Sequence, residues 1–241
     1  MDLRVMHLYP ELMSIYGDRG NVIALQQRAL WRGIEVEVRS HSAGSTLDPE
    51  WADLYFFGGG QDQGQDVVGE ELQGPTGASL RDGIAGGAAV LSICGGYQLL
   101  GHEYIPEVAP AIPGLGVLDV RTTAGKRRFV GNLVVESEDG VLVGFENHSG
   151  KTYLGPAARP LGHVLVGNGN NGEDKTEGAV QGKVIGCYLH GSLLPKNPGL
   201  ADRLISWGLE RRHGPVTLLP LDDGAESAAR DQAIGVAKAR P

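Results

Sequence analysis

The segment Ala88-Ala-Val-Leu-Ser-Ile93 has the length and the uncharged, mostly apolar character of a strand buried on both faces. It runs without a spacer into Cys94-Gly95-Gly96, and a helical pattern opens over Tyr97–His102. A strand of that kind, turning sharply into a helix, belongs in a sheet that helices cover. The rest of the first half repeats the pattern. Leu3–Leu8 is a candidate strand, Asp18–Arg32 an amphipathic helix with Val22, Leu25, Ala29 and Leu30 on one face, and Ile34–Arg39 a second strand after Gly33. Ala52–Phe57 is a short buried strand ending at Gly58-Gly59-Gly60, and Gln61–Ala85 is helical in pieces broken at Gly74-Pro75. The alternation predicts an α/β fold, a three-layer, open, mainly parallel sheet of flavodoxin-like character.

The second half adds antiparallel strands. Phe129–Glu136 and Val141–Glu146 pair around Asp139-Gly140, while Leu161–Val166 and Val184–Leu189 flank the polar loop Gly167–Glu177. Leu200–Arg212 is an amphipathic helix. Beyond Pro215 the chain turns polar and Ala-rich, with Ala225–Lys238 a peripheral helix at most. With no repeat and no long linker, residues 1–215 read as one domain and 216–241 as a C-terminal extension.

Charge and cysteine usage remove several function classes. The formal net charge of −8 argues against tracking a nucleic-acid backbone, which needs clustered Lys and Arg. The uncharged run 83–101 carries six glycines and is a poor bilayer span, and the first residues lack a basic region followed by an apolar stretch. The expectation is a cytoplasmic protein without membrane insertion. Two distant cysteines, Cys94 and Cys187, make neither a disulfide framework nor a clustered metal site. Glycine is the outlier: 38 in 241 residues, against a usual share of roughly 7%.

The cysteine after Ile93 has the setting of a nucleophile elbow. Small neighbours let the backbone bend, the side chain stands at the strand's C-terminal edge, and the helix start favours a thiolate. The Gly95 amide then points where an oxyanion would form. A small core cysteine is the bland alternative, though such a residue does not need flanking glycines. Gly58–Gly60 follows another strand and so reaches the same sheet edge, where Gly59 or Gly60 can supply a second oxyanion donor or simply make a strand-to-helix turn. Gly167-Asn-Gly-Asn-Asn-Gly172-Glu-Asp-Lys175-Thr176 imitates a phosphate loop, but its lysine comes two positions late. No ATP site is recognisable. A cysteine nucleophile needs a base, and His148 and His190 both follow apolar strands and precede small residues. Periodicity does not separate them.

Cys94-Gly-Gly-Tyr-Gln98 and Tyr188-Leu-His190-Gly191 resemble the two catalytic motifs of class I glutamine amidotransferases, in the branch that contains cobyric acid synthase. Leu8-Tyr-Pro-Glu-Leu12, Ile15-Tyr-Gly-Asp-Arg-Gly-Asn21 and Phe57-Gly-Gly-Gly-Gln-Asp62 resemble one subfamily, the amidotransferase subunits of lipid II isoglutaminyl synthase. The likeness runs from about residue 3 to 212. It implies that Cys94 attacks the side-chain amide of L-glutamine, that His190 relays the proton, and that amides near Gly60 and Gly95 hold the oxyanion. It further implies glutamine contacts from Gln98, Gly59, His148, Ser149 and an arginine of the pair Arg127-Arg128, with adjacency to Phe129 favouring Arg128. No metal and no cofactor is implied on this chain. ATP and Mg are expected on a Mur-ligase-like synthetase partner, which would take the ammonia and amidate the D-glutamate α-carboxylate of the lipid II stem peptide. That partner would also hold the chain peripherally at the inner membrane face.

Two departures stand out. Ser92 occupies a position where many class I enzymes have glycine, and His190 is followed by Gly191-Ser192 rather than by the usual His-x-Glu acid. An imidazole with no carboxylate is a weaker base, so the partner is expected to donate the acidic residue that orients His190. The rivals are an amidotransferase for another acceptor such as cobyrinate, a cysteine hydrolase or redox module of similar fold, and a catalytically silent docking scaffold.

Overall fold

A computed structural model describes residues 1–15, 17–60, 62–190 and 193–239; Tyr16, Gln61, Gly191 and Ser192 lie outside them, as do Arg240 and Pro241. The first sheet begins with β1 (Asp2–Leu8), followed by helix α1 (Arg19–Leu30), β2 (Glu35–His41) and β3 (Leu54–Phe57). Helices α2 (Asp62–Glu71) and α3 (Pro75–Ala85) lead to β4 (Ala89–Ile93) and α4 (Gly95–Leu100). The chain then builds a second sheet from β5 (Glu103–Ile105), β6 (Ile112–Pro113), β7 (Val120–Ser137), β8 (Gly140–Leu154), β9 (Gly162–Val166) and β10 (Thr176–Glu177). It returns to the first sheet through β11 (Ala179–Gln181) and β12 (Val184–Cys187), and ends with α5 (Leu193–Lys196), α6 (Pro198–His213) and α7 (Gly224–Ala239).

The first sheet has the order β11-β12-β4-β3-β1-β2, parallel throughout except for β11 at its edge. Every residue of β3, β4 and β12 is buried, so both faces are covered, as the unbroken Ala88–Ile93 run requires. Helix α6 packs on β1, β3 and β4. Its C-terminal end is tied down by Arg212, which makes bonds of 2.7 and 2.6 Å to the buried Asp53 carboxylate, itself an acceptor from the Arg4 amide at 2.8 Å. The expected α/β class holds.

The second sheet is larger than its sequence suggests. The hairpin expected over 129–146 extends to Val120–Ser137 against Gly140–Leu154, with a register shift between Ala124 and Phe129. The shift and the charged run Lys126-Arg127-Arg128 interrupt the alternation on which a strand assignment depends. Helix α1 also differs in one respect. Leu30 is exposed, and Arg28, only 3% exposed, takes a buried place instead. Its guanidinium forms a two-pronged pair with Asp202 at 2.8 Å and reaches Asp223 at 2.6 Å, joining α1, α6 and the approach to α7. Helix α7 lies on the second sheet through Ala233, Ile234 and Ala237 against Val134 and Val143. Among the described residues no helix is long and apolar enough to cross a membrane.

Candidate active site

Three parallel strands end side by side, and the chemistry collects where they stop. Strand β4 delivers Cys94 with φ 49° and ψ −105°, a conformation that non-glycine residues rarely adopt and that marks a strained elbow. Two glycines make the bend possible by close approach. A Cβ on Gly96 would stand 2.7 and 2.8 Å from the Phe57 and Gly58 carbonyl oxygens, and one on Gly59 would stand 3.0 Å from His190 Cε1 and 3.4 Å from Cys94 Cβ. Ser92, the first departure, is fully buried and donates its hydroxyl to the Ile185 carbonyl at 3.1 Å. It stitches β4 to β12.

Strand β12 runs beside β4 with Cys187 opposite Ile93. The chain continues as Tyr188-Leu189-His190, and His190 bridges to Phe145 of β8 through amide–carbonyl bonds of 2.8 and 3.2 Å. This brings the His190 ring within hydrogen-bonding reach of Cys94. Strand β3 supplies Gly58–Gly60 against the pair. Among the described residues no acceptor takes the Gly60 or Gly95 amide, whereas the Gly59 amide donates to Asp18 Oδ2 at 2.7 Å.

Asp18 corrects the expectation that the acid near His190 must come from a partner. It is fully buried, and its Oδ1 lies 3.7 Å from His190 Nδ1 while Oδ2 holds the glycine loop. The carboxylate facing the imidazole belongs to this chain, supplied from the turn before α1 instead of from the position two after the histidine. Burial works against the His190 imidazolium, but Asp18 and Cys94 outweigh it and raise the group from the ordinary histidine value to about 9.

His148 takes the opposite course. It sits in the middle of β8, not at the strand end expected of it, 3% exposed and stacked flat on Tyr188 at 3.5 Å. Its Nδ1 bonds the Gly150 carbonyl at 2.8 Å, and Nε2 is buried without a partner among the described residues. Burial, with His190 and Arg128 nearby, pulls its pKa down to about 3, so it stays neutral. Ser149 is its half-buried neighbour. Arg128 is exposed on β7, its Nε donating to Asn147 Oδ1 at 2.7 Å, while Arg127 lies over the Phe129 ring.

Gln98, for which the resemblance implies a glutamine contact, is buried on α4. Its Oε1 accepts from Gln65 at 2.8 Å and its Nε2 donates to the Tyr188 hydroxyl at 3.2 Å, so both ends of the amide are engaged in the core. Gln65, Asp18 and Glu177 are participants that the motifs did not single out. Glu177 is fully buried, accepts from the Tyr188 amide at 2.6 Å, and is pushed up to about 8 by desolvation. The loop that imitates a phosphate loop carries its own anion. The Glu146 carboxylate accepts from the Asn168 and Gly169 amides, both at 2.9 Å.

With this geometry, likeness to known proteins is informative. A model of the CobB/CobQ-like glutamine amidotransferase domain matches residues 4–198. Subunit GatD of the glutamine-hydrolyzing lipid II isoglutaminyl synthase of Staphylococcus aureus (strain N315) is 40% identical over 239 residues, covering 97% of this chain and 95% of its own. Its counterpart in Streptococcus pneumoniae (strain ATCC BAA-255 / R6) is 39% identical over 221 residues, covering 90% and 85%. Among solved structures, a glutamine amidotransferase covers 84% of this chain and 98% of its own with a TM-score of 0.57 at 18% identity, a likeness of fold. The chain belongs to the CobB/CobQ-like glutamine amidotransferase family.

Proposed function

We propose that this chain is the glutamine-hydrolysing subunit of a lipid II isoglutaminyl synthase. The observation that carries the reading is the convergence at one sheet edge of a strained Cys94, a His190 with a raised proton affinity, and Gly60 and Gly95 amides that have no acceptor among the described residues. The Cys94 sulfur, its proton held on His190, attacks the side-chain carbonyl carbon of glutamine, whose oxygen moves between the two amides. The imidazolium then protonates the leaving nitrogen, the carbon–nitrogen bond breaks, and ammonia departs from a glutamyl thioester. Water, giving its proton to His190, hydrolyses the thioester to glutamate and returns the Cys94 thiol. Gly59 is better read as the holder of Asp18 than as a glutamine contact, and Gln98 as support for Tyr188. Arg128, with guanidinium N–H groups left over after bonding Asn147, is the group we assign to glutamine's carboxylate, with His148 Nε2 and Ser149 nearby.

The acceptor chemistry rests on the family relatives. A Mur-ligase-like partner, holding ATP and Mg, would activate the D-glutamate α-carboxylate and receive the ammonia, with this chain cytoplasmic and brought to the membrane face by that partner. The test is ammonia release from glutamine by wild type and Cys94→Ala, with and without the ligase subunit. Release should vanish in the variant, and an electrophilic glutamine analogue should label Cys94 while sparing Cys187, which is fully buried with its thiol pushed well up by desolvation. Release that survives Cys94→Ala would overturn the reading.

A further inference from the structure

Between the end of β1, the start of α1 and the edge strand β2 lies a cavity of about 550 Å³ that the proposed reaction does not use. Five polar side chains line it: His7, Ser14, Arg19, Gln26 and Ser40. None of them has a hydrogen-bond or ion-pair partner among the described residues, and His7 is 95% buried with Nε2 unsatisfied. A buried polar atom without a partner is costly. Of the five only His7 is deeply buried, while Ser14 and Gln26 are half-buried and Arg19 and Ser40 meet solvent, so the unpaired His7 imidazole beside a guanidinium without a counter-ion is what packing and solvent leave unexplained. Val22 and Val38 give the hollow an apolar wall.

The groups present define the occupant. Arg19 brings the only charge among the lining side chains that lacks a counter-ion, and the hydroxyls, the amide and the imidazole can all donate. The two nearest carboxylates are committed elsewhere: Glu11 accepts from Ser42 at 2.9 Å, and Asp18 holds Gly59. We propose that this cavity is a binding site for a small oxyanion, a carboxylate or phosphate on a short apolar body, centred on Arg19, His7 and Ser40. The volume suits a small molecule. Arg19 follows Asp18 directly, so an occupant fixes the turn from which Asp18 reaches the glycine loop and His190. Its effect on glutamine turnover rests on the glutaminase reading, whereas the binding itself does not.

The experiment titrates the full chain with sodium phosphate and, separately, with succinate at constant ionic strength, following the His7 ring by NMR and the heat by calorimetry. The expected result is a saturable His7 shift with at least one probe, and the probe that gives it distinguishes a phosphate from a carboxylate occupant. Binding should weaken about tenfold in Arg19→Gln, the loss of one charge-assisted contact, and less in Ser40→Ala. It should be unchanged in Arg39→Gln, whose side chain pairs with Glu37 on the same strand. Absence of any saturable shift with either probe, or equal weakening in Arg39→Gln and Arg19→Gln, would overturn the proposal.

Discussion

Replacing Asp18 by asparagine isolates what its charge does. The substitution keeps an oxygen that can accept the Gly59 amide now held at 2.7 Å, so the glycine loop retains its tether while His190 loses the anion at 3.7 Å. At that separation, and with an effective dielectric of about 20, the lost attraction is roughly 4 kcal/mol. At 1.36 kcal/mol per unit this lowers the imidazole by about 3 units. His190, held at about 9 in the native chain, would then titrate lower by roughly that amount. At pH 7.5 the imidazolium population falls roughly thirtyfold, from nearly all of the molecules to a few per cent.

If the proposed reaction holds, protonated His190 hands its proton to the leaving nitrogen, and glutamine hydrolysis should lose its alkaline limb near pH 9 in wild type. In Asp18→Asn that limb should move down about 3 units. Activity at pH 7.5 drops about thirtyfold and recovers toward wild type as the pH is lowered, which a merely misfolded protein would not do. Asp18→Ala also frees the Gly59 amide and should lose activity at every pH. The measurement is kcat against pH for the three proteins with their partner subunit, together with an NMR titration of the His190 ring. An alkaline limb and ring titration that stay within about half a unit of wild type in Asp18→Asn would refute the reasoning.

The other predictions concern the frame around this pair. Arg128→Ala should raise the KM for glutamine about 10- to 100-fold, as expected for one charge-assisted contact, with kcat little changed; an unchanged KM would remove Arg128 from the site. Glu177→Gln should flatten the pH dependence of stability. The folded carboxyl keeps its proton up to about 8, against a usual value of 4.5, so unfolding releases a proton in that window and wild-type stability falls as pH rises through it. Melting curves between pH 5 and 8 would show this slope in wild type and its loss in the variant. Gly96→Ala must move the Phe57 or Gly58 carbonyl and should cost about 3 kcal/mol, so a wild-type melting temperature would count against the close approach. Arg28→Met should lower the melting temperature by roughly 5–10 °C by leaving Asp223 without its cation, while Asp202 keeps Arg32 at 2.6 Å.

The part of the fold legible in the sequence was the part in which local pattern and tertiary environment agree. The Ala88–Ile93 run is apolar because both faces of β4 are covered, so its burial could be read directly. The β7–β8 hairpin was only half legible, because its register shift between Ala124 and Phe129 coincides with Lys126-Arg127-Arg128. Leu30 and Arg28 exchanged their expected places because an arginine with two carboxylates within 3 Å can be buried, and those carboxylates come from the far end of the chain. Cys94 could be found because the bend after β4 needs the glycines that follow it, and His190 through the resemblance of Tyr188-Leu-His190-Gly191 to a catalytic motif. Asp18 lay within a recognisable segment, but nothing local relates the residue before a helix to a histidine in the second half. That link exists only once β1, β3 and β12 occupy one sheet.

The two histidines that periodicity could not separate are separated by what faces them. Both are almost completely buried, so desolvation disfavours the charged ring in each. His148 meets only a carbonyl, an aromatic face and other cationic groups, and it falls to about 3. His190 meets a fully buried carboxylate and the Cys94 sulfur, and it rises to about 9. Residue type and burial being equal, the difference is the anion, and pairs of like residues driven apart in this way mark which of them moves protons. On that argument the base is assigned by Asp18. The same carboxylate also holds the Gly59 amide, next to the Gly60 amide for which no acceptor is present among the described residues. One side chain thus sets both the proton affinity of His190 and the shape of the glycine loop, and changing its charge or its length should disturb the two separately.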